Sequence, residues 1–447
     1  MRLPSPGPSV AEVLEKIPLK RALELLPRDD VRALTARANG ADYLGWEEFR
    51  FRPTPEEAWA VVKWERSAQR RHLGLGDAKG RPFSYVLPSA LLAQLHEIDK
   101  HAAGELLVDI PEPVPGARDR YVINSLMEEA IASSQIEGAA TTRVAAKDML
   151  RSARRPRNRA EQMILNNYAT IQRLKEMKDD PLTTELLLDI QASLTRDTLD
   201  DPTAAGRLRR PCESDLAVYS DDGTLLHTPP PAEQLPERLN TLCEYANREM
   251  DTASTDFEHP VVRAMVLHFW LAYEHPFPDG NGRTARALFH WFMLKQGYWL
   301  VEFLPVSQVI RGNRAQYRRA YLLSERDDND VTYFLAYHLR AIRRALEETR
   351  EYLRRKQREM QAALERVRGV LLNYRQRALL THALKNPGFL YTVVSHRTSH
   401  GIGPQTARND LNALAAQKLL DAGRRGRQHI WMAPRDLGQR LRDLERR

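Results

Sequence analysis

Cysteine is scarce in this chain: Cys212 and Cys243 are the only two in 447 residues. Two thiols make no disulfide framework, and both read as ordinary packing residues. Long apolar runs are missing too. No stretch of roughly 18 or more apolar residues occurs, which argues against a membrane-spanning helix. Met1 to Val10 is proline-rich and lacks the apolar segment of a secretory leader. The expectation is a soluble cytoplasmic protein with no membrane partner.

Acidic charge is also missing, but only from one end. Glu351 to Arg447 holds 20 Lys and Arg against 8 Asp and Glu, a net of +12. The whole chain is +8, so residues 1–350 carry −4. The basic excess therefore lies at the C-terminal end and points to an acidic partner there, nucleic acid among the choices. The length suits about two to four domains.

The most informative stretch is His275-Pro276-Phe277-Pro278-Asp279-Gly280-Asn281-Gly282-Arg283-Thr284-Ala285-Arg286. Pro260 to Glu274, just before it, is nearly continuous in apolar residues and reads as a buried helix with Pro260 in its first turn. Pro276 and Pro278 end that helix. Gly280-Asn281-Gly282 reads as a tight loop, and a second helix is expected from about Arg283 to Gln296, capped by Gly297. Free N–H groups of a glycine-rich loop entering a helix bind anions, and the helix dipole adds to this. Arg283 and Arg286, three apart, share one helical face and suit a polyphosphate. Asp279 offers a hard oxygen of the kind Mg²⁺ takes alongside phosphate. His275, with an unperturbed pKa near neutrality, suits a general base.

The stretch resembles the signature of the Fic family, His-Pro-Phe-x-Asp/Glu-Gly-Asn-Gly-Arg-x-x-Arg, at every specified position. The resemblance implies a protein adenylyltransferase. His275 would deprotonate a hydroxyl on a target protein, and that oxygen would attack the α-phosphate of ATP with pyrophosphate leaving. Asp279 would hold Mg²⁺. Gly280, Asn281 and Gly282 would form the anion hole, Phe277 belongs to the same nucleotide-binding set, and Arg283 and Arg286 would grip the β- and γ-phosphates. A branch with lysine at the second motif glycine phosphorylates instead, and Gly282 favours AMP transfer.

Upstream, Ile123 to Gly138 keeps helical spacing at Ile123, Met127, Ala130 and Ser134, with Gly138 as the stop. Ser133-x-x-x-Glu137-Gly138 resembles the Fic inhibitory motif, which implies that Glu137 pairs with Arg286 and bars productive ATP binding. In some relatives the same glutamate helps remove AMP, so reverse activity is an alternative. Ala205 to Arg210 contains a Gly-x-x-Arg-like element of the sort that precedes the Fic flap. Ser214 to Thr228, two β-prone runs around an Asp-Gly turn, reads as a hairpin and by resemblance as that flap, which would add the target peptide as a strand.

The remaining chain reads as mainly helical. Helices are expected at Pro53 to Gln69, Leu91 to His101, Asn158 to Lys178, Thr183 to Thr195, Leu235 to Met250, Val306 to Ser324 and Val331 to Met360. Asp77 to Pro82 reads as a turn-rich break, and Pro111 to Arg118 as a linker. Tyr317 and Tyr321, on one face with Arg314, are core or rim residues that could reach an adenine. The last 75 residues follow the order of a winged helix: Tyr374 to Leu384, Tyr391 to Ser399, Pro404 to Lys418, then two strands around an arginine-rich turn. Gln405, Arg408, Asn409 and Asn412 would point away from the buried stripe and suit major-groove readout.

The fold class expected is therefore mainly α: a Fic-fold helical core with a β-hairpin flap and a C-terminal winged helix-turn-helix domain. Its divisions are residues 1–115, an N-terminal helical region; 116–350, the catalytic core with an inhibitory helix at 123–138; 351–372, a connecting helix; and 373–447, the winged helix. Partners are a target protein (the chain itself included) and DNA at the winged helix, with a homodimer left open. A DNA-binding transcriptional regulator with a nucleotide-sensing or self-modifying Fic core is the competing reading.

Overall fold

The computed structural model describes residues 3–51, 54–102, 117–213, 217–220, 222–250, 257–298, 301, 304–365, 372–426 and 428–445. Among these residues the chain is mainly helical, with three small sheets of two, two and three strands. Its centre is the helix Pro260–Glu274, buried at every residue from Val261 to Leu271. A helix apolar on all sides has to lie inside the protein. Pro260 sits where a missing N–H costs nothing, and the His259 ring caps the helix by accepting the Val261 N–H at 3.2 Å.

The helix Asn281–Lys295 runs back against it. Leu267, Phe269 and Leu271 from the first meet Leu288, Trp291 and Phe292 from the second in one large cluster. Thr184–Thr195, Leu235–Asn247 and the start of Thr332–Glu365 complete that cluster. Residues from the N-terminal region contribute as well. An antiparallel hairpin, Arg71–Gly76 with Pro82–Tyr85, and the helix Ser89–Ala102 place Leu73, Phe83, Leu91 and Ile98 in the same core. The first part of the chain builds a core of its own, around Val13, Ile17, Phe49, Trp59 and Val62.

Several expectations need correction. The segment 77–81 is the turn of a hairpin whose second strand already takes Pro82, and Gly74 and Gly76 weaken the alternation of the first strand. Val306 to Ser324 is two helices, Val306–Gly312 and Arg314–Arg326, broken where Asn313 leaves helical geometry at φ −145°. Tyr391 pairs as a strand with Trp431, and the helix starts at Val393 behind a Thr392 cap. Helices Arg143–Ser152 and Leu437–Glu445 were not foreseen. Of the expected linker, residues 111–116 lie outside the described residues, and Ala117 already begins a helix.

That helix, Ala117–Ile136, leads to the site. Glu129, fully buried in its middle, accepts the Ser307 backbone N–H at 2.8 Å and the Ser307 hydroxyl, and its carboxylate lies 3.2 Å from His290 Nε2 of the Asn281–Lys295 helix. Burial works against the charge, but His290 and Ser307 hold its pKa below the usual carboxylate range. The C-terminal residues form a separate core around Leu380, Leu411, Leu414 and Trp431. The strand order there is Leu390–Tyr391, Gln428–Met432, Asp421–Arg425, all antiparallel. Its helix Val393–His400 packs on Arg143–Ser152 and Ala117–Ile136.

Glu129→Ala removes one acceptor and leaves a buried N–H, hydroxyl and imidazole unpaired. It is expected to destabilise the protein by roughly 3 kcal/mol, read as a lower urea midpoint. A conserved midpoint in that titration would show that the anchor carries no stability.

Candidate functional site

The core helices end together at one cleft of about 230 Å³. Glu137, His227, His275, Gly282, Arg286 and Tyr317 are among the residues that line it. His275 is the C-terminal cap of Pro260–Glu274 and sits in the left-handed region at φ 46°, uncommon for a residue with a Cβ. Three contacts from Arg209 hold it there. The Arg209 Nε donates to the His275 carbonyl at 2.9 Å, its backbone N–H donates to Pro276 at 2.8 Å, and its guanidinium also reaches the Pro230 carbonyl. Just before the turn, buried Glu274 accepts from Arg238 at 2.6 and 2.7 Å and from the Trp270 indole at 2.7 Å. The turn is therefore fixed from both sides.

The loop that follows closes on itself. Asn281 Oδ1 accepts the Phe277 N–H at 2.9 Å, and Asn281 Nδ2 donates to the Phe277 carbonyl at 2.8 Å. The Asn281 side chain is thus a staple, and only its backbone N–H is left to face an anion. Asn281 and Gly282 already form the first turn of the helix, which starts two residues earlier than the sequence suggested. Gly280 has φ 87°, and a Cβ there would press on Thr195 Cγ2 at 2.8 Å, so glycine is required twice over. Gln191 Nε2 donates to the Asp279 carbonyl at 2.9 Å, and its Oε1 accepts the Gly206 N–H at 2.6 Å.

The two arginines do not act as a pair. Arg283 is buried, donates from Nη1 to the Leu194 carbonyl at 2.9 Å and lies 3.6 Å from Asp279. Arg286 turns to the Ala117–Ile136 helix. Its Nε donates to Ser133 Oγ at 2.8 Å, and Nη2 donates to the Ser133 carbonyl and to Glu137 Oε1, both at 2.9 Å. Arg286 Nη1 and Arg283 Nε are buried without a partner among the described residues. The shared face read from the three-residue spacing is split by what each guanidinium finds nearby.

Glu137 stands over the N-terminus of the Asn281–Lys295 helix. A Cβ added to Gly282 would collide with its carboxylate. It follows the end of its own helix at Ile136, and Gly138 turns the chain away at φ 92°. Burial opposes its charge, yet Arg286 first, then Arg283, keep its pKa below the ordinary carboxylate value. The carboxylate is therefore an anion already seated between a helix N-terminus and a guanidinium.

His275 departs from the neutral-range titration expected of it. Burial, with His227 adding to it, takes its pKa down to about 4. The ring is uncharged at neutral pH, the form a base needs. His227 of the hairpin is held by Glu325 Oε2 at 2.8 Å and by the Tyr273 carbonyl at 2.7 Å. The hairpin pairs Val218–Tyr219 with Leu225–His227, and part of it, residues 214–216 and 221, lies outside the described residues. Tyr317 and Tyr321 line the cleft, their hydroxyls 3.2 Å apart.

Among the described residues no group of three or more His, Cys, Asp or Glu could hold a metal. Asp279 is a lone carboxylate, its Oδ1 accepting the Gly280 N–H at 2.5 Å and its Oδ2 3.9 Å from Arg159. One carboxylate at the edge of an anion site fits Mg²⁺ that arrives with phosphate, and does not fit a permanently held ion.

The structure thus brings His275, Asn281, Gly282, Arg286 and Glu137 to one cleft, with Ser133 behind Arg286. Phe277 is buried in the core, and Asp279, Gly280 and Arg283 flank the cleft without lining it. Gln191, Arg238, Glu274 and Glu325 were missed. They act through neighbours distant in sequence and leave no local pattern, whereas Arg209 was signalled by its Gly-x-x-Arg element.

Comparison with known proteins matches residues 181–293 to the Fic/DOC family. The chain is 37% identical over 117 residues to protein adenylyltransferase fic-1 of Caenorhabditis elegans, covering 26% of this chain and 19% of that protein. It is 28% identical over 146 residues to protein adenylyltransferase Fic of Nematostella vectensis, covering 33% and 29%. The chain thus spans less than a third of the length of these curated relatives. Among solved structures, a Fic family protein from Desulfovibrio desulfuricans G20 is similar at TM-score 0.47 and 23% identity, over 77% of this chain and 95% of that one. C. elegans Fic-1 is similar at TM-score 0.46 and 18% identity, over 78% and 90%. Residues 181–293, which carry the turn at His275 and the helix Asn281–Lys295, are thus the part of the chain that is similar to the Fic/DOC family.

Proposed function

We propose that this protein transfers AMP from ATP to a hydroxyl of a target protein and that its own Glu137 holds the reaction off. The observation that carries the reading is the Glu137 carboxylate seated on Arg286 and over Gly282, where a phosphate would otherwise meet the helix N-terminus. An anion site filled by a side chain of the same protein is an anion site in need of release. The names of the adenylyltransferase relatives agree with this chemistry.

In this reading ATP enters when Glu137 swings away. Its phosphates take the N–H groups of Asn281, Gly282 and Arg283 and the freed donors of Arg286. The uncharged His275 accepts the proton of the target hydroxyl. That oxygen bonds to the α-phosphorus, the bond from the α-phosphorus to the bridging oxygen breaks, and pyrophosphate leaves. Mg²⁺, held by Asp279 and the phosphates, would offset their negative charge. The hairpin at 218–227 would seat the target backbone along its edge. Serine, threonine and tyrosine are all acceptable as the acceptor. The proposed units follow the separate cores: a Fic core that includes the Ala117–Ile136 helix, and a C-terminal module from about residue 373.

Glu137→Gly is expected to raise self-labelling by α-³²P-ATP at least about tenfold, and Glu137→Gly/His275→Ala to lose the label while still binding ATP by calorimetry. Equal labelling of wild type and Glu137→Gly would sink the inhibitory role, and a labelled double variant would sink the base. The pH dependence gives a separate test. A base with its pKa lowered to about 4 is fully uncharged well below neutrality. In Glu137→Gly, kcat/KM for ATP should therefore lack the inflection near 6.5 that an ordinary histidine gives. Glu137 in turn stays ionised throughout that range, so acidification to about pH 6 should not activate the wild type.

A further inference from the structure

We infer that the C-terminal module binds duplex DNA through the helix Pro404–Ala416 and the strand pair Asp421–Arg425 and Gln428–Met432. The module has the elements of a winged helix: Tyr374–Lys385, a short strand, Val393–His400, Pro404–Ala416 and a two-stranded wing. The two helices of the helix-turn-helix are used differently. Val393–His400 packs on the Arg143–Ser152 and Ala117–Ile136 helices of the Fic core. Pro404–Ala416 buries Ala407, Asp410, Leu411 and Leu414 and leaves Gln405, Thr406, Arg408, Asn409 and Asn412 exposed.

The outward face is set by a buried charge. Asp410 accepts from Arg375 Nε at 2.5 Å and from Asn373 Nδ2 at 2.7 Å, and it lies 3.1 Å from His396 Nε2. These contacts fix the roll of the helix, so the amides and Arg408 are presented rather than merely exposed. Amide and guanidinium side chains on one helical face are the groups that read base edges in a major groove.

The charge on this face is uncompensated. The side chains of Arg408 and Arg425 have no hydrogen bond or ion pair among the described residues, and the Arg424 side chain meets His429, at 3.5 Å. The nearby carboxylates are engaged elsewhere: Asp410 by Arg375, and Asp421 and Asp436 by Arg440. A protein surface with paired acids and unpaired arginines attracts a polyanion. The wing is a regular antiparallel pair from Asp421↔Met432 to Arg425↔Gln428, with Gly426 at φ 62° in the turn. That geometry sets Arg424 and Arg425 at the tip of a strand that packs on the helix Pro404–Ala416, where they can meet phosphate.

The test uses the full chain without nucleotide and a fluorescein-labelled mixed-sequence duplex of about 30 base pairs, followed by anisotropy. Binding should weaken at least about tenfold between 50 and 200 mM salt. Arg408→Ala/Arg425→Ala should bind at least about tenfold more weakly with a flatter salt slope, at an unchanged thermal midpoint. No binding at the low salt, salt-independent binding or an unaffected double variant would each overturn the proposal. So would tighter binding to duplex RNA, or a protein partner that needs the same face while DNA is ignored. AMP transfer is not read in this assay and stands or falls separately.

Discussion

Arg286 joins its own helix to Ser133 of the Ala117–Ile136 helix, 153 residues earlier in the chain, and the cleft is arranged around that bond. Ser133 supplies a hydroxyl and a carbonyl, and Glu137 a carboxylate, yet one Arg286 nitrogen still has no partner among the described residues. Removing an ion pair from water costs nearly as much as the attraction returns. A guanidinium left one donor short is therefore not deeply committed to its carboxylate. A polyphosphate brings more charge and more acceptors to the same nitrogens and to the N–H groups of Asn281 and Gly282. That imbalance allows the contact to be both ordered in the resting protein and open to replacement.

The rest of the site prevents movement elsewhere. Arg209 binds the carbonyls of the turn that carries His275, Gln191 the carbonyl of Asp279, and Asn281 both backbone groups of Phe277. On the other side, Glu129 ties the Ala117–Ile136 helix to Ser307 and His290 well inside the core. The helix is held up to its last turn, where Ser134 donates to the Met163 carbonyl at 3.2 Å and Arg311 donates to Gln135 Oε1 at 2.6 Å, which leaves the Glu137 side chain itself as the part to be exchanged. A rigid shell around one exchangeable side chain is what the proposed control requires.

Much of this was legible where the signal was local. The contiguous stretch from His275 to Arg286, the apolar run before it, the spacing of Ser133, Glu137 and Gly138, and the Asp-Gly turn of the hairpin all carry their meaning within a few residues. What failed was non-local. Three-residue spacing puts Arg283 and Arg286 on adjoining faces, but Leu194 and Ser133 decide where each guanidinium goes. The His275 pKa was read as ordinary because sequence does not reveal burial. Asn313 breaks a helix that periodicity would carry through, and the glycines of the Arg71–Gly76 strand hide its alternation. Gln191 and Glu129 act on backbone groups 88 and 178 residues away, and no pattern in the chain points to them.

Glu137 being part of the chain has one more consequence. A free inhibitor is diluted with its protein and can be washed away. A carboxylate tethered within reach of its site is present at an effective concentration set by the helix that carries it, in the millimolar range for short flexible links and higher for stiff ones. Its occupancy is independent of how much protein is present. Under the proposed control, ATP would compete with a fixed local concentration, and the resting state would be the same in a dilute assay as in a crowded compartment. Loosening the last turn of that helix would lower this concentration without altering any group that touches the nucleotide.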